Sequence, residues 1–497
     1  MKLYPENIDT VLDFQQVKSK LIKQVFCDEG ADFLSNQAFY TDVEGLQTEL
    51  NAIQELKDIF LAGEMFPTTS FVAVKDILAV LETEGRALTE NQLLRLHHLI
   101  KGIYELLKFF TKKERVAIYP VVTNLFLSLS VEKKWFQNIA QILDLDEVKI
   151  KSNASPELIK IRTKISKLEK TQEALFNKAL KRYSANNWLA DQKESFRAGR
   201  RVLAVLSENK RKIQGIVLDI SGNGNITFME PAELIPVASE ISEWQVNERK
   251  EIRRILQAIT TELRPFRDDF IQYKHIVAQL DAWQAKAKLA VLQNAVCPDI
   301  SNAEINLKQA RHPTLEAHLN AINKKNVPLD IDMSDKNRII VISGPNAGGK
   351  SVAMKTVGIL QLMFQFGLHI PAEEGSKMKL FYQIMANIGD DQSIEDDLST
   401  YSSHLVKMTH FTNNADSTTL FLIDEMGSGT DPALGGPIAE AILEDLCNKK
   451  SYGIVTTHYS NLKELASSKS GMQNAAMSFE LSLSLIHISE PTRRHLI

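Results

Sequence analysis

Residues Arg338–Ser351, RIIVISGPNAGGKS, join a run of β-branched apolar residues to a glycine-rich turn and then to a helix start. Ile339, Ile340, Val341 and Ile342 leave no polar side chain to face water, so the strand must be covered on both faces. Gly344–Ser351 then fits G-x-x-x-x-G-K-[ST]. Gly344, Gly348 and Gly349 let the backbone curl until its N–H groups point at one anion, with Pro345, Asn346 and Ala347 filling the turn. The helix that follows, to about Phe366, adds its positive end. Lys350 supplies a cation for the β- and γ-phosphates, and Ser351 a hydroxyl for Mg²⁺. A glycine-rich turn alone is a weak signal. The strand before it and the helix after it make nucleotide binding the expectation.

The chain has 497 residues, enough for two to four domains. Its 44% hydrophobic and 24% charged residues are those of a globular protein. A net charge of −4 means that any nucleic-acid contact must come from a local basic patch. Cys27, Cys297 and Cys447 lie far apart, which argues against a disulfide frame or a zinc site. No signal peptide is legible at the start, and no apolar run is long enough to span a bilayer, so the expected location is cytoplasmic.

Residues 1–150 read as a helical core, with Leu46, Leu50, Ile53, Leu56 and Ile59 at helical spacing, and Leu93, Leu96, Leu99, Ile103 and Leu106 likewise. Residues 151–298 read as two long helices. The first starts at Ser155-Pro156-Glu157, Ser at the cap and Pro in the first turn. Pro265 should kink or break the second. Between them, 187–237 reads as a small β insert with strands at Val202–Leu206, Gln214–Leu218 and Asn225–Met229 and a turn at Ser221–Gly224. From Lys193 to Gly215 there are seven basic residues (Lys193, Arg197, Arg200, Arg201, Lys210, Arg211, Lys212) against Glu194 and Glu208, a local charge of +5. Two readings stand: a phosphate-backbone contact at the tip of a long arm, or a solvated charged surface. Residues 299–482 alternate between strands and helices, opening with Ala310-Arg311-His312-Pro313, as a doubly wound nucleotide-binding domain does.

Downstream, Thr418–Asp424 is a second apolar strand that ends in a carboxylate and is followed at once by Glu425. Phosphoryl transfer needs a carboxylate near the metal, here Asp424, reaching it through water. It also needs a group that orients or activates the attacking water, here Glu425. Tyr452–Thr457 is a third strand and delivers His458, a candidate γ-phosphate sensor. Gln392 could reach the metal or the water. Ser399-Thr400-Tyr401-Ser402-Ser403 is a hydroxyl-rich helix start, fit either to cap its own helix or to hold a phosphate.

Four motifs in this order, GPNAGGKS, STYSSHL, LFLIDEMGSGTDP and TTHY, resemble the ATPase domain of the MutS family. The wider pattern, including TFMEP at Thr227–Pro231, is most similar to the second bacterial branch, MutS-two, to about Phe479. The resemblance implies a multidomain protein. An all-α core with long lever helices and a small β-containing clamp precedes an α/β P-loop domain of the ABC class. It implies ATP and Mg²⁺ as cofactors and a homodimer in which Ser399, Thr400, Ser402 and Ser403 act on the partner's γ-phosphate. It implies a clamp around DNA, branched or duplex, with suppression of recombination, or alternatively a factor that binds collided ribosomes and rRNA.

Two departures qualify it. Mismatch-reading members carry an amino-terminal domain with a Phe-x-Glu wedge. This chain starts at the helical core, and its one such match, Phe228-Met229-Glu230, falls in the insert. The tail LSLIHISEPTR at Leu483–Arg493 looks like a translated sequencing adapter, so 483–497 is set aside from fold reasoning. The Smr nuclease domain typical of the branch is then expected to be missing. An endonuclease is implied by the resemblance, but no residue here carries it. An inert truncated fragment is the remaining alternative.

Overall fold

A computed structural model describes residues 1–344, 349–389, 400–427, 431–480 and 485–489. Packing divides the chain into two compact units. One comprises Met1–Phe71, Glu105–Leu129 and His275–Ile497, the other Val72–Tyr104 and Ser130–Lys274.

In the first unit, the run Ile339–Ile342 is buried on both faces, as its composition requires. It lies in the strand Asn337–Ser343, inside a mixed sheet. Lys2–Tyr4, Gln383–Asn387, Thr419–Ile423, Tyr452–Thr457 and Asn337–Ser343 are neighbours in that order, all parallel. Gly471–Glu480 continues parallel beyond them. Leu329–Ser334 and Glu304–Ala310 add antiparallel strands.

Alternate side chains feed different cores. Ile340, Ile342, Leu420, Leu422 and Ile454 pack under Met354, Val357 and Leu360 of the helix Lys350–Gln365, together with Ile8, Leu12, Phe14, Leu46 and Leu50. Ile339, Val341, Phe421, Ile423 and Val455 pack against Met408 and Phe411 of Thr400–Asn414, Leu443 of Pro432–Asn448 and Leu462 of Ser460–Ser468. Each fully buried aliphatic side chain contributes about 1.5–3 kcal/mol.

Residues 1–150 are mostly helical, as expected, but Lys2–Tyr4 is a strand on the edge of this sheet. Three residues carry no period, and their state is set by a partner strand some 380 positions away. Leu485–Ser489, in the stretch set aside as tail, pairs antiparallel with Ala476–Glu480. Its alternating apolar residues favour a strand whatever their origin.

Two histidines are buried neutral in this unit. His369 is 2% exposed and donates from Nε2 to Leu50 O at 3.2 Å. His312, 6% exposed, caps the helix Pro313–Ala321 by accepting from Leu315 N at Nδ1. Burial pushes both down to about 4, from 6.5. Between those values the unfolded chain binds more protons, so stability is full above pH 6.5 and is lost as the pH falls toward 4. Each site contributes up to about 3 kcal/mol to that slope. Urea midpoints should therefore drop between pH 6.5 and 4.5, and less steeply in His369→Gln. Parallel slopes in the two proteins would refute the assignment.

The second unit contains the helices Pro156–Ala185 and Ile235–Leu263, packed along each other. Ser155 is the cap expected of it. Its Oγ accepts from Leu158 N at 3.0 Å and donates to Glu251 Oε1 at 2.6 Å. Arg162–Glu248 at 2.7 Å and Lys164–Glu240 at 2.9 Å tie the helices further along. Pro265 sits in a 3₁₀ turn, Arg264–Phe266, where the helix ends before Arg267 resumes it.

The insert is a four-stranded antiparallel sheet in the order Leu189–Arg197, Arg200–Leu206, Ile226–Pro231, Gly215–Ile220. The first of these was not legible. LADQKESFR is polar and lies on an edge, so no apolar alternation marks it. Phe228 is 8% exposed inside this sheet and Glu230 pairs with Arg200, so the Phe-x-Glu match is structural.

Candidate nucleotide site

Four adjacent parallel strands deliver Gly344, Asp424, His458 and Asn387 to one edge of the sheet, beyond their carboxyl ends. That edge is where sheets of this kind bind ligands. Gly349 begins the helix from a left-handed conformation, φ +75°, which a side chain would strain. Lys350 is 2% exposed; its Nζ donates to Gly344 O and lies 3.3 Å from His458 Nε2. A charged ammonium only donates, so that ring nitrogen accepts, and the imidazole proton is assigned to Nδ1. Burial pushes the Lys350 pKa down, and the Glu425 and Asp424 carboxylates oppose the shift.

Thr456, fully buried on the neighbouring strand, organises the acidic pair. Its Oγ1 donates to Asp424 Oδ1 at 2.5 Å and accepts from Glu425 N at 2.8 Å. Asp424 N donates to Asn387 O at 2.8 Å and Met426 N to Thr456 O at 2.9 Å. Glu425 is held in a left-handed conformation, φ +50°, costing about 1–3 kcal/mol that these bonds offset. The chain thus reverses sharply between two consecutive carboxylates. It turns again at Gly427, φ +90°, where a Cβ would meet Tyr459 Cε2 at 2.1 Å. Tyr459 OH donates to Gly427 O at 2.6 Å. Asp431 then caps the next helix by accepting from Ala433 N at 2.8 Å.

Thr456 is a residue of the candidate site that the sequence reading did not single out. Its signal was a pair of threonines, Thr456-Thr457, closing an otherwise apolar strand just before His458. Thr456→Val keeps the shape but leaves Asp424 Oδ1 and the Glu425 N–H without their partner. We expect a loss of about 2 kcal/mol in unfolding free energy by denaturant titration, with Thr456→Ser near wild type. Equal losses in Val and Ser variants would mean the methyl, not the hydroxyl, carries the effect.

The structure brings together Gly344, Gly349, Lys350, Asp424, Glu425 and His458, with Ser351 in the first turn of the helix. Pro345, Asn346, Ala347, Gly348, Gln392 and Ser399 lie outside the described residues. Thr400, Ser402 and Ser403 fall in the first turn of Thr400–Asn414, and their side chains are outside the description. Among the described residues no group of three or more His, Cys, Asp or Glu could hold a metal by itself. A hydroxyl at Ser351 and the Asp424 carboxylate are donors of the kind Mg²⁺ takes, since it commonly uses one or two carboxylates and completes its shell from phosphate and water.

The basic insert is more neutral than its sequence. Arg197 pairs with Asp219 at 2.8 Å, Arg200 with Glu230 at 2.7 Å and Arg201 with Glu194 at 2.7 Å. Lys212 donates to Asn209 Oδ1 at 2.8 Å. Folding adds Asp219 and Glu230 to the two acids counted locally, so seven basic residues face four acidic ones. Lys210 and Arg211 stay exposed.

Site and sheet together define a class: an α/β domain built as phosphate-loop nucleotide-binding proteins are. A family model described as MutS domain V matches residues 340–491. "Endonuclease MutS2" of Enterococcus faecalis is 34% identical over 495 residues, 99% of this chain and 61% of that protein. Those of Alkaliphilus oremlandii and Acetivibrio thermocellus are each 32% identical, over 95% and 98% of this chain and 59% and 60% of their own lengths. Along 95–99% of its own length the chain is similar to these MutS2 proteins, and it spans about three-fifths of the curated relatives it matches. Among the described residues no helix is long and apolar enough to cross a membrane.

Proposed function

We propose that this chain is an ATP-hydrolysing, DNA-binding clamp protein that works as a homodimer. The observation that carries the reading is the Asp424–Glu425 reversal clamped by Thr456, beside a buried Lys350 in contact with His458. Those groups are what transfer of a γ-phosphoryl group to water requires. Lys350 and the backbone from Gly344 to Gly349 bind phosphate. Ser351 and Asp424, the latter through water, would hold Mg²⁺, and the ion would supply neutralising charge for the phosphates. Glu425 accepts the proton of the attacking water. His458 accepts from Lys350 at Nε2 and senses the terminal phosphate.

The helices Pro156–Ala185 and Ile235–Leu263 act as levers, and the insert at 187–237 as the clamp. Ser399 to Ser403 complete the partner's site. The relatives are named as endonucleases, which supports a role on nucleic acid, and the resemblance extends it to DNA, branched intermediates and suppressed recombination. No nuclease activity is assigned to residues of this chain, which covers about three-fifths of relatives named as endonucleases.

The test is ATP turnover by the purified chain with and without duplex and branched DNA, ribosomes serving as the competing target. Turnover stimulated by ribosomes and not by DNA would overturn the DNA reading. Within the insert, Lys210→Glu with Arg211→Glu should weaken DNA binding and lower the slope of log K against log salt by about 2. Arg197→Gln with Arg201→Gln, which disturbs residues already paired, should change it less. The reverse ranking would move the contact to the paired arginines.

A further inference from the structure

The helix Pro156–Ala185 carries more positive charge than its packing uses. It holds eight basic residues and three acidic ones, in a chain of net charge −4. The helix it packs against, Ile235–Leu263, holds four basic and five acidic. The excess is not scattered. Leu158, Ile161, Ile165, Leu168, Phe176, Ala179 and Tyr183 form the buried seam. At 3.6 residues per turn, Lys167, Lys170, Lys178 and Lys181, with Ala174 between them, fall on one line opposite that seam. All four lysines are exposed. Among the described residues none of the four pairs with a carboxylate, whereas Lys160, on the same face, pairs with Glu157, and Lys164, on the flank beside the seam, with Glu240.

Lys167 with Lys170 and Lys178 with Lys181 are like-charge neighbours at i,i+3, and each pair repels on an exposed helix. A polyanion removes that repulsion. The line runs about 21 Å, the axial length of roughly six base pairs. A helix that lies on a membrane needs an apolar face beside its lysines, and here the apolar face is already buried in the unit.

We propose that the Lys167–Lys181 line is a second nucleic-acid contact, a rail on the lever helix for the phosphate backbone of duplex DNA. It is separate from the insert residues Lys210 and Arg211. The proposal rests on the DNA reading above and assigns it a surface.

The test replaces Lys167, Lys170, Lys178 and Lys181 together by Gln, a comparable helix former, in the full chain. Binding to a fluorescent 30-base-pair duplex is measured across a salt series, with helicity and melting followed alongside. We expect affinity to fall at least tenfold at low salt and the salt slope to drop by about 3 to 4, while Arg at the same four positions keeps the wild-type slope. Wild type that binds the duplex with a slope the Gln variant shares overturns the rail and leaves the DNA reading intact. Wild type that binds no duplex overturns both. A loss of slope seen with duplex RNA only overturns the choice of DNA. If the Gln variant melts early, the Arg variant and single Gln changes at Lys170 and Lys178 decide, a slope loss near 1 in each single change supporting the rail and none overturning it.

Discussion

Lys350→Ala weakens ATP binding by at least a hundredfold, about 3 kcal/mol, in an equilibrium titration with a fluorescent nucleotide. The ammonium is buried, so water screens it little. Its pKa is pushed down by that burial and supported only by Asp424 and Glu425. Phosphate oxygens arriving beside it would meet a buried cation, and charge-assisted bonds of this kind contribute about 1.5–3 kcal/mol each. Folding should survive the change, because removing the side chain also removes the cost of burying its charge. Lys350→Met, which fills the space without the charge, should bind as weakly as Ala. Wild-type affinity in Lys350→Met would show that the site holds phosphate through its backbone alone.

Glu425→Gln should leave ATP binding within a few-fold of wild type and lower turnover by about 10²–10⁴-fold, the usual contribution of a general base. The contrast with Lys350 comes from geometry. Lys350 sits in the first turn of the helix, beside Gly344. Glu425 sits beyond Asp424 on a reversed backbone, tethered through its own N–H to Thr456. Gln keeps the shape and the backbone conformation and loses only the capacity to take a proton. Single-turnover hydrolysis, compared with nucleotide affinity in the same preparation, separates the two effects. Equal turnover in Glu425→Gln and wild type would assign water activation to another group.

Much of this site was legible because its parts are local. The Ile339–Ile342 run could only be a strand covered twice, and the glycine spacing after it is the one a phosphate loop requires. Asp424 and Glu425 stand at the end of an apolar strand, and Ser155-Pro156 marks its helix start to the residue. What escaped was decided by partners far away in the chain. Thr456 matters because parallel pairing sets it beside Asp424, more than thirty residues upstream. Arg197 and Arg200 look free in sequence because Asp219 and Glu230 reach them only across the folded sheet. The strand Leu189–Arg197 has no apolar alternation of its own to betray it.

The parallel pairing of Lys2–Tyr4 with Gln383–Asn387 bears on how the protein is made. The first residues to leave the ribosome belong beside a strand synthesised some 380 residues later. At about 5–20 residues per second that is a wait of roughly 20 to 80 s. Until then the helices at 8–22 and 43–61 expose the apolar faces that later cover the sheet, and a chaperone is the natural occupant of that interval. The stretch matched as MutS domain V, cut out and expressed alone, would carry a bare edge at Gln383–Asn387 and lose the part of its core that Ile8, Leu12, Phe14, Leu46 and Leu50 supply.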